Sequence, residues 1–372
     1  MNILYFMTYG YSIKTWDEAG HLSRELKYFN QFTLKKDVNY IFVSFGDSAE
    51  YAYMSQFKNC EVIPIYEYLN KSEYKLINLL KSFYIPFVLK QLLSEESIDI
   101  IKQNQLLGSW ISIGLKFLIR KPLIVRTGYD MYTFSKKANN GFLKNIFYYI
   151  LTQITLIQSD QYTVTSNIDL KEINKYLFKG KNIALFPNWV SEQPICNINQ
   201  RNGLNLLTVG RLEKQKNIEK IIKDFKNTVY EIDIIGDGSD KEFLKELAKK
   251  YNTKVKFLGS IKNEEVLNSY KNYKYYISSS TYEGNPKTIL EAMSSGCIIV
   301  ALKNPNVEEI IKHGQNGFLV DDKEFSFVEA IKDISKYKDI EKISENAILY
   351  VKENNSLKDL IESEYKSMIK LK

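Results

Sequence analysis

Short apolar runs alternate with longer amphipathic stretches from one end of the chain to the other, and this rhythm limits the possible folds more than any other feature. NILYF (2–6), YIFVSF (40–45), EVIPI (61–65), IDIIK (98–102), PLIVR (122–126) and YTVTS (162–166) read as buried strands. A strand that is apolar on both faces must be covered on both, and helices between successive parallel strands supply that cover. The expected class is α/β, with doubly wound parallel sheets. The rhythm breaks at FPNWVSEQPICNINQRNG (186–203), where prolines and amides replace periodicity. It restarts with LNLLTV (204–209), EIDII (231–235), KVKFL (254–258), KYYIS (274–278) and IIVAL (298–302). The chain of 372 residues is long for one core. The expected division is a domain at 1–187, a linker at 188–203 and a second domain at 204–355. SLKDLIESEYKSMIKL (356–371) opens on a Ser356 to Asp359 capping pattern and sets Leu357, Leu360, Ile361, Tyr365 and Met368 on one helical face, which must dock.

Composition removes several kinds of chemistry. With His21 and His313 as the whole histidine complement, a histidine zinc site or a Ser–His–Asp triad has almost no material. Cys60, Cys196 and Cys297 are odd in number and widely spaced, which suggests neither a disulfide framework nor a metal site; a reducing cytoplasm is the expected setting. The opening MNILYFMTYGYS has no basic leader and reads as a first strand. No run approaches the roughly 18 apolar residues that span a bilayer. The net charge of +7 is uneven, with 22 Lys and Arg against 16 Asp and Glu through Pro187, and 29 against 28 beyond. Basic and aromatic residues interleave in YKLINLLKSFYIPFVLKQLL (74–93) and FSKKANNGFLKNIFYYILTQITLI (134–157). Peripheral contact with an anionic membrane and core helices with outward-snorkelling lysines are both open for these segments. Nucleic acid is not expected as a partner, because no binding motif accompanies the charge.

In EGNPKTILEAM (283–293), Pro286 fits a first helical turn, so Glu283 stays on the loop while Glu291 falls in the second turn. Backbone N–H groups at such a helix start attract anions, and carboxylates on either side accept hydroxyl protons. Two solvated acids on an amphipathic helix is the plainer reading of the pair alone. Upstream, the strand LNLLTV runs into GRLEKQKN (210–217), where Gly210 permits a tight turn and Arg211 and Lys216 lie just past the strand's carboxyl end, the ligand-binding end of an open α/β sheet. Two cations there suit a diphosphate. The turn GDG (236–238) has Lys241 where a dinucleotide fingerprint needs a third glycine.

Together VGRLEKQKN (209–217), IIGDGSDKEFL (234–244), KFLGSI (256–261), SSSTYEGNPKTILEAMSSGCIIVA (278–301) and NVEEIIKHGQNGFLV (306–320) resemble the retaining, nucleotide-sugar-dependent glycosyltransferases of family four, in their order and spacing. The resemblance implies a GT-B fold: two Rossmann-like domains facing a cleft, the first holding the acceptor and the second the donor, with the C-terminal helix crossing back to the first. It casts Arg211 and Lys216 as stabilisers of the departing diphosphate, Glu283 as facing the donor sugar and Glu291 as holding the ribose. Gly284, Asn285, Pro286 and Lys287 would present backbone amides to phosphate and sugar; Gly210, Gly236 and Gly238 would line the donor site, and Gly259 and Ile261 would border the base. In the first half, TWDEAGHLSREL (15–26) takes the place of the family's glycine-rich loop with Gly20 alone, and Trp16 is either a core or interdomain aromatic or a candidate for stacking on a sugar. Asn104 and Arg126 stand where many members have histidines. Trp189 replaces the glycine of the family's P-N-G-V crossing.

The implied reaction is metal-independent hexosyl transfer with retained configuration, from a nucleotide-sugar carried on UDP, or GDP as the alternative, to a glycan or lipid-linked acceptor in bacterial surface polysaccharide or lipopolysaccharide assembly. The expected site is cytoplasmic, with peripheral attachment to the inner membrane face. No cofactor is expected beyond the nucleotide-sugar, and no Asp-x-Asp follows a strand to hold a divalent cation. A non-catalytic scaffold on the same fold is a rival, which would need none of Arg211, Lys216, Glu283 and Glu291. A nicotinamide-dependent oxidoreductase is a second, weakened by Lys241.

Overall fold

The structure is a computed structural model that describes residues 1–180, 182–194, 197–322 and 325–372. Cys196 lies outside the described residues; Cys60 and Cys297 are free thiols. Two compact units divide the chain, Met1–Phe186 with Ile361–Lys372, and Pro187–Leu360.

The first unit is built on β1 (Asn2–Phe6), β2 (Asn39–Ser44), β3 (Cys60–Pro64), β4 (Ile100–Asn104), β5 (Leu123–Arg126), β6 (Gln161–Val164) and β7 (Ile183–Leu185). They pair in parallel in the order β3-β2-β1-β4-β5-β6-β7. The second unit repeats the plan with β8 (Asn202–Val209), β9 (Glu231–Ile235), β10 (Lys254–Gly259), β11 (Tyr273–Ser278), β12 (Ile298–Leu302) and β13 (Phe318–Val320), ordered β10-β9-β8-β11-β12-β13. In both sheets the chain winds outward from its first strand and then returns to that strand's other side. The carboxyl ends of β1 and β4, and of β8 and β11, therefore flank a topological switch point.

Four expectations need correction. Strand β4 starts two residues later than 98–102, because its far end is Lys102-Gln103-Asn104, polar by sequence, with Lys102 and Gln103 nonetheless buried in the sheet. The three-residue edge strands β7 and β13 are too short to carry a periodic signal. The stretch at 188–203 is not a spacer. Val190 donates to the Asn355 carbonyl, Ile198 joins the core, and the buried Arg201 donates to the carbonyls of Ser295 and Tyr273 at 2.7 and 3.2 Å. Trp16 is a core residue, stacked on Phe29 at 6.2 Å and edge-on to Phe42, so it has no face left for a sugar.

The last helix, Leu357–Ile369, buries Leu357, Leu360, Ile361 and Met368, the stripe that its spacing predicts, while Tyr365 is half-buried under Lys36. It also buries Glu364, which the stripe did not include. In the first unit, Lys102 Nζ lies 2.9 Å from Glu364 Oε2 and 3.0 Å from the Tyr28 hydroxyl, and that hydroxyl donates to the same carboxylate. Burial works to raise the Glu364 carboxyl, but the charges of Lys102 and then Arg126 outweigh it and hold the group below its ordinary value. The cost of dehydrating both charges cancels much of their attraction, yet deleting one partner strands the other.

Turn geometry in the second unit leaves little freedom. The β8 and β9 ends run against each other, with Gly210 N donating to Ile235 O and Leu212 N to Asp237 O, both at 2.9 Å. Gly236 has φ +139, and a Cβ there would sit 2.0 Å from the Gly210 carbonyl oxygen; at Gly238 it would sit 2.4 Å from that of Leu212.

Two consequences are measurable. Gly236→Ala should cost about 3 kcal/mol in urea unfolding through the overlap with the Gly210 backbone; an unchanged midpoint would refute the close approach. A carboxylate whose folded value is depressed adds stability above its unfolded value, about 4.3, and that stability is lost as pH falls through the folded value. Glu364→Gln should therefore lower stability at pH 7 by about 3 kcal/mol and flatten the acid limb of the stability curve, read by urea midpoints from pH 7 downward.

Candidate functional site

The parallel pairing of β8 with β11 sets the loop 210–217 beside the loop 279–286 at the switch point of the second unit. Hydrogen bonds zip the two together. Thr281 N donates to Gln215 O at 3.0 Å, Gln215 Nε2 to Tyr282 O at 2.8 Å, and Ser279 Oγ to the carbonyls of Lys216 and Asn217 at 2.7 and 2.9 Å. Across this seam Lys216 Nζ meets Glu283 Oε1 at 2.5 Å. Gly210, at φ +158, makes that reach possible: a Cβ there would lie 3.3 Å from Lys216 Cε, so the lysine stem lies over bare backbone.

Glu291 is 4 % exposed on the helix Lys287–Ser294. The hydroxyl of Tyr270 faces its Oε2 at 3.4 Å; burial first, and the Glu291 charge second, push that hydroxyl well above its usual value and keep it a donor. Pro286 is the N-cap and not the first helical residue, one position from the sequence reading. The helix thus begins between the two carboxylates.

Other predicted residues land in different roles. Arg211 is 68 % exposed and pairs with Glu213 at 3.0 Å, apart from the Lys216–Glu283 pair. Gly236 and Gly238 lie against the neighbouring loop's backbone, which a Cβ at either position would overlap. Gly259, at φ +72, has nothing within 4 Å of a Cβ position, and Ile261 packs against the core beneath β11 and β12. Gly284 is buried. Asn285 holds the start of this unit: its Oδ1 accepts from Asn188 N at 3.1 Å and its carbonyl accepts from Asn188 Nδ2 at 2.8 Å. Lys287 places its ammonium 4.5 Å from the centroid of Trp189, so the tryptophan at the glycine position of the crossing supports a lysine of the candidate site.

In the first unit Gly20, at φ +72, ends the short helix Ile13–Glu18 in the left-handed conformation that glycine favours. That helix's leading amides are already taken: Ile13 N and Lys14 N donate to the buried Glu50 at 2.7 and 3.1 Å, and Ser44 Oγ donates to it at 2.5 Å. Asn104 and Arg126 are paired neighbours at the ends of β4 and β5, where the Arg126 charge acts on Glu364 and Lys102. Sequence reading missed Gln215, Tyr270 and Glu50. Each sits among ordinary polar residues and acquires its role from a partner at least 21 positions away. Among the described residues no cluster of three or more His, Cys, Asp or Glu side chains has a metal-holding arrangement, and no helix is long and apolar enough to cross a membrane.

Residues 197–353 match the model of the family described as glycosyl transferases group 1. Over 180 residues the chain is 34% identical to an uncharacterized glycosyltransferase of Methanocaldococcus jannaschii, covering 45% of each chain. It is 27% identical over 232 residues to the amylovoran biosynthesis glycosyltransferase AmsD of Erwinia amylovora, covering 61% of this chain and 64% of that protein. The chain thus spans about half to two thirds of the length of these relatives. Among solved structures it resembles Anabaena HepE in complex with UDP and glucose, with a TM-score of 0.73, 17% identity and the full length of both chains covered. Two parallel-sheet units and this likeness give the chain the GT-B fold. The part of the chain that matches the glycosyl transferases group 1 family, residues 197–353, carries both the Lys216–Glu283 seam and Glu291.

Proposed function

We propose that this chain is a glycosyltransferase that moves a hexose from a UDP-sugar to a glycan or lipid-linked acceptor of bacterial surface polysaccharide. The observation that carries the reading is the Lys216–Glu283 pair at the β8–β11 switch point, with the buried Glu291 one helix turn beyond the cap. A lysine and two carboxylates around a helix N-terminus match a sugar-nucleotide: cation and amides for diphosphate, carboxylates for hydroxyls. The UDP and glucose held by HepE and the polysaccharide named for AmsD agree with this choice.

In this reading Glu291 accepts from the ribose hydroxyls, and Glu283 faces the sugar while it orients Lys216. Arg211 reaches the diphosphate by exchanging Glu213 for phosphate. An exposed ion pair is worth at most about 1 kcal/mol, so the exchange is cheap. As the bond between the anomeric carbon and the phosphate oxygen breaks, negative charge grows on the diphosphate, where fixed cations stabilise it. The acceptor hydroxyl bonds to the same face of the sugar, its proton passes to the departing phosphate, and configuration is retained. The reaction takes place on the cytoplasmic side and needs no metal.

Glu283→Gln keeps the shape of the side chain and removes its charge. Sugar transfer should fall by about 100-fold or more, while UDP still raises the melting temperature. Undiminished transfer would reject the role, and loss of the UDP-dependent shift as well would assign the residue to nucleotide binding instead. Transfer should also persist unchanged in EDTA; activity lost on chelation and restored by magnesium would sink metal independence.

A further inference from the structure

The helix Phe142–Gln158 buries Tyr148, Leu151 and Leu156 in the core of the first unit, yet its outer side is apolar as well. Thr152, Gln153 and Thr155 are also buried in the first unit: the Thr155 hydroxyl donates to Leu151 O at 2.7 Å, and Gln153 exchanges hydrogen bonds with the Phe178 backbone. The side left exposed carries Leu143, Phe147 and Ile150, with Leu143 81 % exposed. Water disfavours this arrangement, since an ordinary surface helix turns its apolar stripe inward.

The same surface continues beyond that helix. Helices Ile85–Leu92, Ser109–Ile119 and Phe142–Gln158 pack side by side, and the segment 74–93 exposes Leu80, Phe83 and Phe87. Charge on these segments has one sign. Residues 74–93 hold Lys75, Lys81 and Lys90, residues 131–158 hold Lys136, Lys137 and Lys144, and neither contains an Asp or Glu. These helices do bury Ile85, Leu89, Leu151 and Leu156 in the core, but that packing does not account for the apolar side chains that lie outside as well.

We infer that this face of the first unit lies on an anionic lipid bilayer, with its exposed leucines, isoleucines and phenylalanines in the headgroup region and its lysines on lipid phosphates. Apolar side chains rimmed by lysine, without acids, suit that interface. A second copy of the chain is a poor occupant. A two-fold contact sets the same patch against itself, and six lysines would face six with no acid to offset them. The inference stands on this surface alone and does not depend on the donor site.

Sedimentation of the full chain with vesicles tests it. The protein should pellet with vesicles of equal parts phosphatidylcholine and phosphatidylglycerol, and about tenfold less with phosphatidylcholine alone or in high salt. The double variant Leu143→Asp, Phe147→Asp should lose about tenfold or more of that binding, yet keep its melting temperature and its UDP-dependent shift. Lys136→Gln with Lys137→Gln should weaken binding to the anionic vesicles only. Failure to pellet with the mixed vesicles, or equal pelleting by the aspartate variant, would overturn the proposal. So would a concentration-dependent dimer that the aspartate variant dissolves, or binding to a soluble acidic protein with none to vesicles.

Discussion

Parallel pairing of β8 with β11 is the constraint from which the candidate site follows. Two strands separated by more than sixty residues of chain become neighbours, and their loops emerge from the same end of the sheet. Only then can Lys216 reach Glu283, and only then do Gln215 and Ser279 have carbonyls to bond across the seam. The seam satisfies backbone groups that would otherwise be stranded beside a partly buried ion pair. Position is thus fixed by the sheet and refined by local hydrogen bonds, which together hold the charged pair in place.

Glycine enters this arrangement for reasons of space. At Gly236 and Gly238 the neighbouring loop's carbonyl oxygens occupy the volume a side chain would need, and at Gly210 the stem of Lys216 passes over the backbone. A glycine-rich pattern in such a loop is easily read as a ligand cradle. Here, part of it is a consequence of two loops running within hydrogen-bond distance of each other.

The first unit spends its buried polar groups differently. Lys102, Tyr28 and Glu364 fasten the last helix to the sheet, and Glu50 caps a helix whose leading amides would otherwise look like an anion site. Along the helix Phe142–Gln158, Thr152, Gln153 and Thr155 turn inward beside Tyr148, Leu151 and Leu156, while Leu143, Phe147 and Ile150 remain outside. Hydropathy along the chain is the same for an inward or an outward apolar stripe, so periodicity announced an amphipathic helix without telling which side faced the core.

Legible in the sequence were the β/α rhythm and the restart of the rhythm in the second half, and the Glu283, Glu291, Arg211 and Lys216 set is what carries the family resemblance. These are local signals: runs of apolar residues, a proline at a helix start, spacing along one strand-loop-helix unit. Tertiary structure decided what depends on distant partners. It placed Trp16 in the core and Arg211 on Glu213, assigned Lys216 to Glu283 and Tyr270 to Glu291, and hid a lysine and a glutamate in the first unit. The physical reason is that burial and hydrogen bonding belong to pairs brought together by sheet order, whereas sequence pattern reports only what a residue and its near neighbours prefer.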